Sequence, residues 1–172
     1  MTESDVADVL AIEAASFRTS RLQPPNDASE QKSGRLDAAQ LREELARPWA
    51  RLWVARGASE GKTPAAAFLL AWHVADELHV LDVATHPELR RRGFGRALMK
   101  QSLAYAREQA IRHVLLEVRR SNTPAIRLYR ECGFFAMGVR KSYYADGEDA
   151  VEMVLLLDDR GEIQARKDEV SA

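Results

Sequence analysis

The 172-residue sequence has a single cysteine, Cys132, so no disulfide can close within the chain, and such usage fits a reducing, cytoplasmic compartment. It has no excess of either charge: 25 Lys and Arg stand against 26 Asp and Glu, for a formal net charge of -1. No whole-molecule field then draws nucleic acid or an anionic membrane, so neither is expected as a partner, and any anion must be held locally. Long apolar runs are missing too. The longest, Ala65 to Trp72, falls well short of the roughly 18 residues that span a bilayer. The first residues, Met1 to Asp8, are acidic and lack the basic and apolar regions of a signal peptide. His73, His79, His86 and His113 have no metal-ligand spacing, so no metal is expected.

What remains is a globular composition, 46% apolar and 30% charged, in a length suited to one domain. That domain is expected over 1–157, followed by a flexible tail over 158–172 in which eight of 15 residues are charged. Apolar residues from Val6 to Phe17 recur at helical spacing behind a capping Ser4. Arg18 to Arg35, rich in Pro, Ser, Asn and Gly, reads as a long polar loop. A second helix is expected over Ala38 to Ala46, ending before Pro48. Strand patterns follow at Ala50 to Arg56, Ala65 to Val74 and Leu78 to Ala84. The pattern then alternates: a helix from Gly93 to Ala110, a strand from His113 to Arg119, and a helix from Thr123 to Cys132 closed by Gly133. Strands at Phe134 to Tyr144 and Ala150 to Leu157 flank the turn Ala145-Asp146-Gly147-Glu148. The fold class is mixed α/β, a largely antiparallel sheet carrying helices.

The most informative stretch is Arg90-Arg91-Arg92-Gly93-Phe94-Gly95-Arg96-Ala97, where a loop enters a helix. Helix N-termini present free amides and partial positive charge, so four arginines there are self-repelling unless an anion sits among them. Gly93 and Gly95 let the backbone approach such an anion. A pyrophosphate-bearing ligand is expected, in preference to a solvated basic loop. A dinucleotide-binding unit fits poorly, since its third glycine position is Leu98 and Glu117 lies mid-strand; no Gly-Lys-Ser/Thr follows, which excludes a P-loop. Glu117 interrupts the apolar strand Val114-Leu115-Leu116-Glu117-Val118. A carboxylate there is either partly desolvated and raised in pKa, or paired on the strand face with Arg119 or Arg112.

Arg90-x-x-Gly93-x-Gly95 matches the Gln/Arg-x-x-Gly-x-Gly/Ala signature of the GNAT acetyltransferases. The run Leu116-Glu117-Val118-Arg119-Arg120-Ser121-Asn122, then Ala125-Ile126-x-Leu128-Tyr129 and Gly133-Phe134, resembles the bacterial ribosomal-protein-alanine N-acetyltransferases. Tyr143-Tyr144-Ala145-Asp146-Gly147-Glu148-Asp149-Ala150, with Met153, resembles the catalytic subunits of archaeal and eukaryotic protein N-terminal acetyltransferases. The resemblance covers Leu78 to Leu157 and, loosely, the first helix. It implies the GNAT fold, acetyl-CoA as co-substrate, and a protein or peptide N-terminal α-amine as acceptor, in the bacterial branch the alanine of a ribosomal protein. It implies Glu117 as general base and Tyr129 as general acid. It puts pyrophosphate on Arg91, Arg92, Gly93, Phe94, Gly95 and Arg96, and pantetheine beside Val83, Ala84, Thr85 and Asn122. Tyr143 and Tyr144 become walls of the acceptor site. On residue type alone Tyr129 also suits the core, Asn122 a helix cap, and the tyrosine pair a strand. Cys132 has no His partner in sequence and reads as packing. Where relatives carry a Pro-Trp element after the first helix, this chain has Arg18-Thr19-Ser20 and the polar loop. Two other functions stay open: acetylation of a small-molecule amine or a lysine side chain, and a non-catalytic acetyl-CoA-binding module.

Overall fold

The computed structural model describes residues 3–16, 38–57 and 63–164. Phe17, the polar loop 18–35 and the last part of the tail, 165–172, lie outside the described residues. The elements run α1 (Glu3–Ser16), α2 (Ala38–Ala46), β1 (Ala50–Arg56), β2 (Ala65–Val74), β3 (Glu77–Thr85), α3 (Phe94–Glu108), β4 (His113–Arg119), α4 (Thr123–Glu131), β5 (Phe135–Arg140) and β6 (Ala150–Leu156). A single 3-10 turn at Pro87–Leu89 precedes α3. The strands form one sheet in the order β1-β2-β3-β4-β6-β5, antiparallel except where β3 meets β4.

Helices cover both faces of the sheet. On one, Leu98, Met99, Leu103 and Ala106 of α3 and Tyr129 of α4 pack on Leu69, Leu78, Val80, Leu116, Val118 and Met153. On the other, Val6, Val9 and Ile12 of α1 and Leu41 of α2 pack on Phe68, Leu70 and Ala84. This explains β2, in which Ala65 to Ala71 are all buried: a strand covered on both sides has no polar face to alternate with. Ser102, the polar residue within the α3 stripe, is fully buried and donates its hydroxyl to the Met99 carbonyl at 2.9 Å.

The feature that positions the site is a split between two parallel strands. β3 and β4 pair from Glu77 with His113 to Val80 with Leu116, and the ladder stops there. Beyond it, β3 stays on β2 up to Thr85 with Ala67, while β4 stays on β6 up to Arg119 with Ala150. The register slips between Leu70 and Ala71, leaving Leu81 as an extra residue in β3, and such a bulge bends its strand. The sheet therefore opens into a V between Leu81–Thr85 and Glu117–Arg119.

Three expectations change. β5 ends at Arg140, so Tyr143 and Tyr144 lie in the 141–149 loop instead of a strand; Ser142 takes a φ of 50° and donates its amide to Asp149 Oδ1, which turns the chain out of the ladder. Helix α1 starts at Glu3, placing Ser4 inside its first turn. The start of the tail is folded: Asp158 accepts the amides of Arg160 and Glu162, Gly161 turns at a φ of 73°, and Ile163 bridges back to Leu157.

Candidate active site

The V is the mouth of a cleft of about 880 Å³ that runs from the N-terminus of α3 through the sheet to Tyr144. Gly93 caps α3 with a φ of 86°, a left-handed conformation that disfavours a side chain. The first ladder bond is from Ala97 N–H to the Gly93 carbonyl, so the amides of Phe94, Gly95 and Arg96 lie ahead of the helical ladder. Gly95 packs closely: a Cβ there would sit 3.3 Å from Leu128 Cδ2, so the leucine would have to shift. All four arginines of the segment are exposed; Arg90, Arg91 and Arg96 line the cleft, whereas Arg92 lies outside its lining. Arg90 donates to the Thr85 carbonyl at 3.4 Å, and Arg96 pairs with Glu131 of α4, an acid supplied from outside the segment.

Val83, Ala84 and Thr85 form the β3 wall, with backbone edges that β4 has left. Asn122 lines the same cleft and also caps α4, its Oδ1 accepting from Ala125 N–H at 3.3 Å. Tyr129 is 7% exposed, packs its ring 5.9 Å from that of Phe134, and reaches the cleft from the α3/α4 side. Burial, with Asp82 and Cys132 nearby, pushes its phenol above the usual range, so it stays protonated. Cys132 is half-buried against the same core, and burial raises its thiol as well, consistent with packing.

Glu117 enters from the opposite side. Leu116 and Val118 point into the α3/α4 core, so alternation directs Glu117 to the other face. Burial raises its carboxyl above the ordinary value; Arg140 and His79 oppose that and Glu152 adds to it. Its charged neighbour is Arg140, whose Nη2 lies 3.7 Å from Oε1. Neither expected strand-face partner serves: Arg119 is held by Asp146 and Glu148, and Arg112 by Asp159. Glu152, directly across from Glu117 on β6, accepts Arg140 Nε at 2.5 Å. Arg140 and Glu152 carried no sequence signal, because their proximity to Glu117 is set by register between strands far apart in sequence.

The two tyrosines divide. Tyr144 lines the cleft, 4.0 Å under the Arg119 guanidinium. Tyr143 stands behind it, outside the lining, with its ring 5.3 Å from Tyr144 and 5.5 Å from the Arg140 guanidinium. Burial and Glu117 push the Tyr143 phenol up to about 12. Glu148 ties the loop to the cleft by accepting the Ser121 amide at 2.8 Å. Among the described residues no group of three or more His, Cys, Asp or Glu is placed to hold a metal.

The Acetyltransferase (GNAT) family model matches residues 8–134. The [ribosomal protein bS18]-alanine N-acetyltransferase of Escherichia coli K12 is 39% identical over 93 residues, 52% of this chain and 63% of that protein. An N-alpha-acetyltransferase of Sulfurisphaera tokodaii is 46% identical over 76 residues, 44% of this chain and 46% of that protein. Each match spans less than two thirds of its relative. The crystal structure of the Escherichia coli ribosomal-protein-S18-alanine N-acetyltransferase superposes with a TM-score of 0.71 at 22% identity, covering 100% of this chain and 96% of that one, which is a likeness of fold. With the fingerprint at the head of α3 and the split between β3 and β4 inside the matched residues, the chain belongs to the GNAT acetyltransferase family.

Proposed function

We propose that this protein is a cytoplasmic N-acetyltransferase that moves the acetyl group of acetyl-CoA to a protein N-terminal α-amine, with an alanine-first ribosomal protein as the expected acceptor. The observation that carries the reading is the pairing of opposite chemistries across the V. A partly buried carboxylate, Glu117, raised above its ordinary pKa, stands on one face of the sheet, and a protonated buried phenol, Tyr129, on the other.

The residues fit a pantetheine pyrophosphate. Arg90, Arg91, Arg96 and the amides at the head of α3 form a cationic, donor-rich end of the cleft, and Gly93, which carries no side chain, leaves the backbone open to an anion there. The β3 edge from Val83 to Thr85 and the Asn122 turn flank the narrow part, where the arm would lie. Acetyl-CoA, when bound, supplies a thioester carbonyl for attack. Glu117 takes the proton of the acceptor ammonium, which frees the nitrogen lone pair to form the C–N bond. Tyr129 Oη gives its proton to the sulfur as the C–S bond breaks; the second proton that the nitrogen loses on becoming an amide restores the Tyr129 phenol through solvent, and Glu117 releases its own proton to solvent. An α-amine, with an ordinary pKa of about 7.7 to 8.0, needs only a modest base, whereas a lysine at about 10.4 needs more. Tyr144 and the loop that Arg119 fastens form the far wall, on the acceptor side.

The test is mass spectrometry of N-terminal peptides differing in first residue, and of free amines, each incubated with the protein and acetyl-CoA. Acetylation of alanine-first peptides at the α-amine is expected. Acetylation of a free amine with no peptide modified would overturn the acceptor assignment, and no transfer to any amine would overturn catalysis.

A further inference from the structure

Glu117 is surrounded by charge from several elements. His79 faces it from β3 and Asp82 lines the same cleft; Arg140 comes from β5, Glu152 from β6, and Tyr143 from the 141–149 loop. On its own strand Arg119 is engaged with Asp146 and Glu148. The cation nearest to Glu117 is Arg140, and two contacts hold it back. Glu152 takes its Nε at 2.5 Å, and the Tyr143 ring lies 5.5 Å from its guanidinium carbon. Its Nη2 is left 3.7 Å from Glu117 Oε1, too long for a hydrogen bond. A closer, bidentate pairing would occupy the carboxylate lone pairs and depress proton affinity, making a poor base. A Cβ on Gly138, which lies opposite Glu152 on β5 beside a register slip, would meet Glu152 Oε2 at 3.0 Å.

We propose that Glu152 is a positioning residue for acetyl transfer: by engaging Arg140 it keeps the guanidinium from closing on Glu117 and leaves that carboxylate free to accept the acceptor's proton. The inference rests on Glu117 as the base in the reading above. It gives the two partners opposite signatures. Glu152→Gln removes an anion and releases Arg140, so the Glu117 carboxyl becomes more acidic; Arg140→Gln removes the cation, so it becomes less acidic. Each shift is on the order of one pH unit, at the low end for a charge this close because the pair is partly exposed.

The experiment measures kcat/KM against pH for wild type, Glu152→Gln, Arg140→Gln and the double variant. The Glu117 side-chain carbon is titrated by NMR in the same proteins. The expected result is an acid limb moved down by Glu152→Gln, up by Arg140→Gln, and back near wild type in the double variant, with the NMR titration following. An acid limb and titration left in place by Glu152→Gln, or moved upward, would overturn the inference. Loss of the base assignment reads differently: Glu117→Gln would then keep the wild-type limb while the NMR titrations still diverge. If Glu152→Gln does not fold, Glu152→Ala removes the same carboxylate and should shift the Glu117 titration downward; an unmoved titration there also overturns it.

Discussion

Replacing Tyr129 by Phe removes one oxygen from the cleft and almost nothing from the core. The ring stays among Leu98, Val118 and Phe134, so the apolar burial and the ring contact at 5.9 Å are kept. A cavity the size of a hydroxyl in a site 7% exposed costs about 1 kcal/mol or less, a shift of a few degrees in Tm for a domain of this size. The chemical cost is far larger. A positioned general acid contributes about 10²- to 10⁴-fold, equivalent to about 3 to 5 kcal/mol of barrier. The substitution leaves the arginines and amides at the head of α3 in place, so acetyl-CoA affinity should change less than threefold. Steady-state kinetics by release of the CoA thiol, calorimetric Tm and equilibrium binding separate these terms. A Tyr129→Phe protein that folds, binds acetyl-CoA and keeps more than a fifth of wild-type kcat would show that Tyr129 is a core aromatic and not the acid.

Glu117→Gln should lower kcat by about 10²-fold or more while acetyl-CoA binding is kept, and should remove the acid limb of the rate profile. That limb should lie above the ordinary glutamate range in wild type, because burial raises this carboxyl, with activity growing as pH rises through it. Arg91→Ala should weaken acetyl-CoA binding by about three- to tenfold, and Arg92→Ala, outside the lining, distinctly less; equal losses in an equilibrium titration would contradict the cleft geometry. Asp146 is held below its usual range by Arg119, and Glu148 chiefly by the Ser121 amide, so their contribution to the 141–149 loop is present at neutral pH and lost as pH falls through their depressed values. Tyrosine fluorescence of the loop should therefore change at acid pH before global unfolding, and Arg119→Gln should move the Asp146 part of that step upward in pH while the Glu148 part, held by the Ser121 amide, stays in place.

The fold was legible because its signals are local. Periodicity set the bounds of α2, β1, β2 and β4, and the Arg90 to Gly95 fingerprint marked the head of α3. The failures share a cause. Nothing near Tyr143 announces that β5 stops at Arg140, since the turn depends on Asp149 reaching back to the Ser142 amide. Treating 158–172 as one charged tail overlooked Asp158 as a turn acceptor and Ile163 packing beneath Gly133. The largest gap lay around Glu117. Its placement, a carboxylate interrupting an apolar strand, was visible, but its electrostatic partners come from β3, β5 and β6 through pairing register. Local pattern does not encode that register. Similarly, the four arginines looked equivalent until the backbone, with Arg91 at a φ of 64°, put Arg91 in the cleft lining and Arg92 outside it.

The most direct measurement uses one peptide carrying both kinds of amine. An alanine-first peptide with an internal lysine is incubated with the protein and acetyl-CoA, and the product is sequenced by tandem mass spectrometry. A single acetyl group on the alanine nitrogen is the expected result, and it should vanish in Glu117→Gln. An acetyl group on the lysine side chain, or an unmodified peptide under conditions where a free small amine is acetylated, would contradict the N-terminal assignment.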